Sequence, residues 1–289
     1  MNKSTKLSIH DKFPLTCSRS GTCCHGKLVL LNPWELACIA KAKKVTTKKF
    51  AEKNCNWGGI QLRFDGKYLW RKQPSCSQYI ENIGCSVYLG RPLSCRLYPL
   101  GRQIQSKEVH YIFQGSEFPC LNGCPEVAKL PQLSVGKYLE EQAASKFEKA
   151  QDEYLGLMQD IADMAFVFLL ETGLAQSGDT KTLLLWKTMG NETPEALSKR
   201  IGNEWMNCLM LPKINDDVED PILFVEKHKE ILQLNIHEKY GNTQSNIEFH
   251  EASVLIMGLA LQLARSIGAN PITLGEHWID AAIKHGAKI

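Results

Sequence analysis

The sequence predicts an α+β chain in two regions. Residues 1–132 read as a small cysteine-rich metal-binding module with short strands and a helix, and residues 133–289 as an α-helical region. Three observations predict this. All the cysteines but Cys208 precede residue 125, in a stretch punctuated by Gly and Pro. From Ser134 onward, apolar residues recur at helical spacing for nearly forty positions. The charge also divides: residues 1–130 hold 20 Lys and Arg against 8 Asp and Glu, whereas residues 131–289 hold 14 against 23.

In chain order, the opening MNKSTKLSIHDKFPLT lacks the apolar run of a secretory signal. Asn32-Pro33 followed by WELACIAKAKK reads as an N-cap, a proline in the first turn and a short amphipathic helix, with Cys38 on its apolar side. After Gly58-Gly59, the segment IQLRFDGKYLW predicts a hairpin about Asp65-Gly66, and a second strand pair is expected between Leu97 and Phe113. The stretch VGKYLEEQAASKFEKAQDEYLGLMQDIADMAFVFLLETGL is one long helix or two in succession, with charges on one face of its first half. Further helices are expected near Pro194–Leu211, Pro221–Leu234, Ile247–Ser266 and Leu274–Lys284.

A chain of 289 residues with 44% hydrophobic content can bury a sizeable core, so it needs no metal merely for being small. The longest charge-free apolar stretch, Ala252 to Ala264, is too short to span a bilayer. With no export signal and no membrane span, the expected location is the cytoplasm. Eleven cysteines in that reducing pool point to metal ligation or redox chemistry rather than structural disulfides. The basic half carries neither an aromatic stacking motif nor a recognition-helix pattern, which argues against a nucleic-acid partner. A protein partner or protein substrate remains compatible with the charge.

Cys38, Cys55 and Cys208 aside, eight cysteines are candidate ligands: Cys17, Cys23, Cys24, Cys76, Cys85, Cys95, Cys120 and Cys124. They fall in a tight loop, CSRSGTCC, a central stretch, CSQYIENIGCSVYLGRPLSC, and a closing pair, CLNGC. This is not the two-close-pairs pattern of a zinc ribbon or finger; it suits a site assembled in three dimensions. Bringing Cys24 to Cys76 closes a loop of about fifty residues, at a cost on the order of 3 to 4 kcal/mol. A structural metal contributes roughly 10 kcal/mol or more. Adjacent Cys23 and Cys24 pose a problem, because in extended backbone their side chains point to opposite faces. A sharp turn, made easier by Gly21, is needed for both to reach one centre.

Ligand type alone does not separate zinc from a four-iron cluster. Arg91, Arg96 and Arg102 surround Cys95 in sequence, and guanidinium groups beside a four-thiolate centre would offset its negative charge. Among the histidines only His25 adjoins the cysteines, where a ligand, a supporting donor or a solvated loop residue are all open, the last being the simplest. Tyr88 and Tyr98 read as packing residues, Cys208 as a core residue, and the acidic NDDVED at 215–220 as a solvated turn.

CSRSGTCC, the helix signal NPWEL and CSQYIENIGCSVYLGRPLSCRLYP together resemble the YkgJ-like cysteine-cluster family, zinc- or iron-chelating CxxCxxCC proteins, over about residues 13–142. The resemblance implies a metal site in which Cys17, Cys23, Cys24, Cys76, Cys85 and Cys95 match the family's cysteines. Arg91, Pro92, Arg96 and Pro99 match its RPxxCRxxP segment. Ser20 stands where the name-giving pattern has its second cysteine. The expectation is therefore a metal-binding protein holding an iron–sulfur cluster or zinc, for redox, structural or partner-docking use, with Arg91 and Arg96 beside the cofactor. A similar cysteine module in flagellin lysine-N-methylase implies an alternative, a protein-modifying enzyme using S-adenosylmethionine. The chain shows no glycine-rich strand–turn–helix for that cofactor.

Overall fold

The computed structural model describes residues 5–13, 21–68, 72–105, 108–113, 131–171, 173, 180–214 and 219–288. The fold is α+β, with short strands in small sheets near the N-terminus and helices beyond. The chain divides into two compact units: Met1–Val29, Ala37–Asn54 and Leu62–Glu148 form the first, and Leu30–Leu36, Cys55–Gln61 and Lys149–Ile289 the second.

Chain order begins with strands β1 (Thr5–Leu7) and β2 (Lys12–Phe13). Helix α1 (Pro33–Lys43) starts where the sequence signals it. The Asn32 side chain accepts from the Glu35 amide at 2.9 Å, and Glu35 accepts in return from the Asn32 amide at 3.1 Å, so two otherwise orphaned donors are satisfied. Helix α2 (Thr47–Asn54) was not expected. It is lysine-rich and buries only Phe50 and Ala51, too little apolar surface to show a periodic stripe.

Strands β3 (Cys55–Asn56) and β4 (Gln61–Leu62) pair with each other. The hairpin expected about Asp65-Gly66 is therefore not formed among the described residues, its second arm running on into positions 69–70 outside them. β4 reaches back to residues before Gly58-Gly59, and beyond it Gly66 donates to the Ser75 carbonyl, tying this loop to the segment that carries Cys76. β5 (Tyr79–Ile80) and β6 (Gly84–Cys85) form a small antiparallel hairpin with Tyr79 opposite Cys85. The one-turn helix α3 (Leu93–Leu97) carries Cys95.

The second expected strand pair is present as β7 (Leu100–Gln105) and β8 (Glu108–Phe113), in register from Leu100–Phe113 to Gln105–Glu108. β8 is the centre of a three-stranded antiparallel sheet in the order β1-β8-β7. β9 (Leu133–Ser134) pairs with β2, and Ser134 caps α4 (Val135–Glu141) by accepting from the Lys137 amide.

The long apolar-periodic stretch resolves into two successive helices, α4 and α5 (Ser145–Phe166), the latter running into a wider π turn at Val167–Glu171. The remaining helices are α6 (Thr180–Asn191), α7 (Pro194–Ile201), α8 (Asn203–Met210), α9 (Pro221–Tyr240), α10 (Asn246–Ser266) and α11 (Pro271–Lys284). Thr193, Asp220, Ser245 and Asn270 each cap the helix that follows them, and Pro stands in the first turn of α7, α9 and α11.

Helix α10 organises the helical unit. Every residue from Ile256 to Ser266 is buried, and α6, α7, α8 and α11 pack around it. By length and composition this helix could cross a membrane, since it extends past the charge-free stretch seen in the sequence. Of its apolar window, however, 61% is buried inside the protein, as in the central helix of a soluble core. Trp186 and Trp278 are fully enclosed beside it, and burying a large apolar side chain stabilises by about 1.5–3 kcal/mol.

Candidate metal centre

The site begins at Gly21, whose φ of +78° lies in the left-handed region. A Cβ at this position would sit 2.3 Å from the Tyr79 ring, so conformation and space both require glycine. The turn lets the Cys24 amide donate to the Gly21 carbonyl at 2.9 Å and winds Thr22–Cys24 into a single 3-10 turn. With three residues per turn, successive side chains diverge by about 120° rather than 180°. That resolves the problem of the adjacent pair, because both Cys23 and Cys24 reach the same cavity.

Backbone bonds then bring the second cysteine segment to the first. The Cys76 amide donates to the Cys24 carbonyl at 2.7 Å, the Gly26 amide donates to the Pro74 carbonyl at 3.1 Å, and His25 bridges to Ser75. His25, expected in solvent, is only 4% exposed: its Nδ1 lies 3.0 Å from the Gly21 carbonyl and its ring meets Tyr79 edge-on. A carbonyl only accepts, so Nδ1 carries the proton and the imidazole locks the Gly21 turn. Its Nε2 is buried with no hydrogen-bond partner among the described residues.

Cys85 enters on β6, and Cys95 enters on α3, behind Pro92 at its N-terminus. The arginines that flank Cys95 act differently. Arg91 donates through Nε to the Tyr88 carbonyl (3.0 Å) and through Nη2 to Gln142 Oε1 (2.9 Å), while its guanidinium stacks on the Tyr88 ring and lines the cavity. Arg96 points into the protein frame. It donates to the carbonyls of Arg91 (2.7 Å), Gln142 (2.6 Å) and Leu89, and lies over the Phe147 ring. Arg102 is also turned from the cysteines, facing Glu148 at 3.6 Å. The RPxxCR segment thus presents Cys95 and Arg91 inward and uses Arg96 as the bolt behind them.

Cys23, Cys24, Cys76, Cys85 and Cys95 all line one cavity of about 70 Å³, together with Lys27, Tyr79, Tyr88 and Arg91. Cys17, Cys120 and Cys124 lie outside the described residues. Among the described residues no cysteine is in a disulfide, and no three Cys, His, Asp or Glu side chains converge as the ligand set of a single ion. The five thiols are spread around the wall of a space. Cys38 is half-buried on α1, Cys55 is buried on β3 and Cys208 is half-buried on α8, none of them in the cavity wall.

The thiols of Cys24, Cys76, Cys85 and Cys95 are held protonated. For Cys24 the hydrogen bond with Cys23 is the largest cause, followed by burial and by the charges of Cys23, Cys95 and Cys76. Burial pushes Cys95 up to about 12, with Cys76, Cys23 and Cys85 adding to it and Lys27 opposing. Burial likewise raises Cys76 to about 11, against a bond from the Gln78 amide. Cys85 is raised by burial and relieved by the Val87 amide, Arg91 and Lys43. Four thiols held protonated by burial and by neighbouring sulfurs, with Cys23 bonded to Cys24, are a donor set complementary to a cation. Amides aimed at sulfur, with Lys27 and Arg91 close by, are the outer contacts that thiolate ligands use.

Sequence reasoning missed Tyr79 and Lys27. Tyr79 is set two residues before the Cys76–Cys85 hairpin turns. Lys27 follows Cys24 by three positions and places its ammonium 3.0 Å from the centre of the Tyr98 ring. A lysine near a double cysteine was the available signal for the second; nothing in the sequence marked the first.

No curated protein and no solved structure matches the chain. Residues 16–113 match the model of one family, CxxCxxCC, described as a "putative zinc- or iron-chelating domain". The matched stretch contains all five cavity thiols and the RPLSCRLYP segment, so it is by these residues that 16–113 are similar to the CxxCxxCC domain family.

Proposed function

We propose that the centre is an iron–sulfur cluster held by Cys thiolates and used for one-electron transfer, in a protein of the reducing cytoplasm. The observation that carries this reading is the arrangement of five thiols around a cavity of about 70 Å³ with no trio converging on a point. A cavity needs only about 10–15 Å³ to admit one water-sized sphere. This space therefore accommodates a centre of several atoms, whereas a closed zinc site draws four ligands onto one ion at about 2.3 Å. Cys23, Cys24, Cys76, Cys85 and Cys95 would hold the group, four being enough for a four-iron cluster. Such a cluster supplies reversible one-electron chemistry when bound. Lys27 and Arg91 offset the negative charge of the thiolates, and the buried wall limits access of water to them.

The test is anaerobic purification followed by analysis for iron, acid-labile sulfide and zinc. The expected result is iron and sulfide in equal amounts, with a broad visible absorption that dithionite bleaches. A colourless protein carrying one zinc per chain would defeat the reading.

A further inference from the structure

We propose that the outer side of the Tyr79–Arg91 wall is the docking surface for an acidic protein partner, which under the reading above is an electron carrier. This stretch alternates between two surroundings. Tyr79, Gly84, Cys85, Val87, Tyr88 and Arg91 face the cavity, while Ile80, Ile83 and Leu89 face solvent, 44%, 70% and 85% exposed. An aliphatic side chain as exposed as Leu89 is ordinary when isolated. Three in one short stretch of a metal-site wall, with the Ile83 amide bonded back to the Ile80 carbonyl, are apolar exposure of the kind that marks protein contacts.

The same wall is flanked by positive charge. Lys43 Nζ donates to Ser86 at 3.1 Å, and Lys67 meets Glu81 at 3.7 Å, so both ammonium groups are held against the same stretch that carries Ile80, Ile83 and Leu89. Behind Lys43, the stretch from 41 to 53 carries Lys41, Lys43, Lys44, Lys48, Lys49 and Lys53 against Glu52 alone. Gly90 holds the end of α1, where this stretch begins, close: a Cβ there would come within 2.7 Å of Ala42 and 2.9 Å of the Cys38 carbonyl. An apolar centre with a cationic rim is complementary to an acidic protein surface, which charge would steer and the aliphatic side chains would anchor. Three exposed aliphatics against one exposed ring, Tyr68 beside Lys67, favour protein over single-stranded nucleic acid, whose successive bases stack on several rings. A partner seated here would lie one wall's thickness from the thiols.

The experiment measures binding of the full-length, metal-loaded protein to an acidic plant-type ferredoxin, with basic cytochrome c as the opposite-charge control. The expected result is ferredoxin binding that weakens with salt and no cytochrome c binding. Leu89→Asp is expected to weaken ferredoxin binding about tenfold or more, and Lys43→Glu with Lys67→Glu to weaken it and flatten its salt dependence. Metal content and the visible spectrum should be unchanged in Leu89→Asp, which separates a lost surface from a lost centre. Ferredoxin binding that is absent, or insensitive to both variants, overturns the proposal. So does equal binding of cytochrome c, or displacement of ferredoxin by a single-stranded oligouridine. The surface rests on the cluster reading only for the partner's role. Zinc in the protein with rim-dependent ferredoxin binding would sink the cluster and leave the surface standing, and iron with no such binding would do the reverse.

Discussion

Arg96 shows how a single side chain builds the site without entering it. Its guanidinium collects the carbonyls of Leu89 and Arg91, from one 3-10 turn and its end, and of Gln142, at the end of α4, tying two distant segments together. Lysine keeps the charge but not the planar fork. Arg96→Lys is therefore expected to leave at least one buried carbonyl unpaired, destabilising the protein by about 2–3 kcal/mol, with a lower Tm in thermal melts and a parallel loss of bound metal. The cysteines separate by the same reasoning about position. Cys95 lies in the cavity wall and Cys208 does not, its thiol being raised to about 11 by burial and by Glu204. Elemental analysis should find metal content reduced in Cys95→Ser and unchanged in Cys208→Ser.

Among the elements, α9 carries a buried histidine whose chemistry is structural. The His228 ring lies between the Tyr154 hydroxyl (3.1 Å from Nδ1) and the Cys208 carbonyl (3.1 Å from Nε2). Because the carbonyl only accepts, Nε2 holds the proton and Nδ1 accepts from Tyr154, which makes the neutral ring the matching form. Burial lowers its pKa to about 4, against a bond to the Cys208 carbonyl that works the other way. A base with a depressed native pKa stabilises the fold fully above its ordinary value of about 6.5, and that contribution is lost as pH falls toward 4. The loss amounts to about 3 kcal/mol. His228→Gln should flatten the dependence of stability on pH by about one proton between those limits, read from urea midpoints at successive pH values; an unchanged slope would show that His228 is not the group responsible.

The elements also show what local sequence can and cannot report. Helices such as α9 and α10 were legible because caps, a first-turn proline or an apolar stripe act within a few residues. α2 and α6 were not anticipated, the first because only Phe50 and Ala51 mark the buried face of a short lysine-rich helix and the second between stronger neighbouring signals. Asp65-Gly66 is a good turn signal, but tertiary bonds to Ser75 decided the pairing. Within the site, sulfur identity was readable. The 3-10 turn that lets adjacent thiols share a cavity depends on the Gly21 dihedral and the Tyr79 ring, a contact across nearly sixty residues that no spacing encodes.

At the scale of the whole molecule, the helical unit has a continuous apolar core around α10, while the cysteines of the N-terminal unit sit on two-residue strands, one-turn helices and the loops between them. Stability should therefore depend on metal in one unit and not in the other. The thiol chemistry sets the conditions. Cys76 and Cys95 hold their protons up to about 11 and about 12 when no cation is bound, so metal entry must expel protons, and each proton expelled makes affinity fall tenfold per unit drop in pH. Metal is expected to be retained against a fixed concentration of chelator at pH 8 and released as the pH is lowered toward 5. Limited proteolysis of the released protein should then cut within residues 21–105 while fragments containing 180–288 persist. Equal protection of both regions after the metal has gone would mean that packing alone holds the cysteine loops together, and that the centre is a passenger rather than a keystone of its unit.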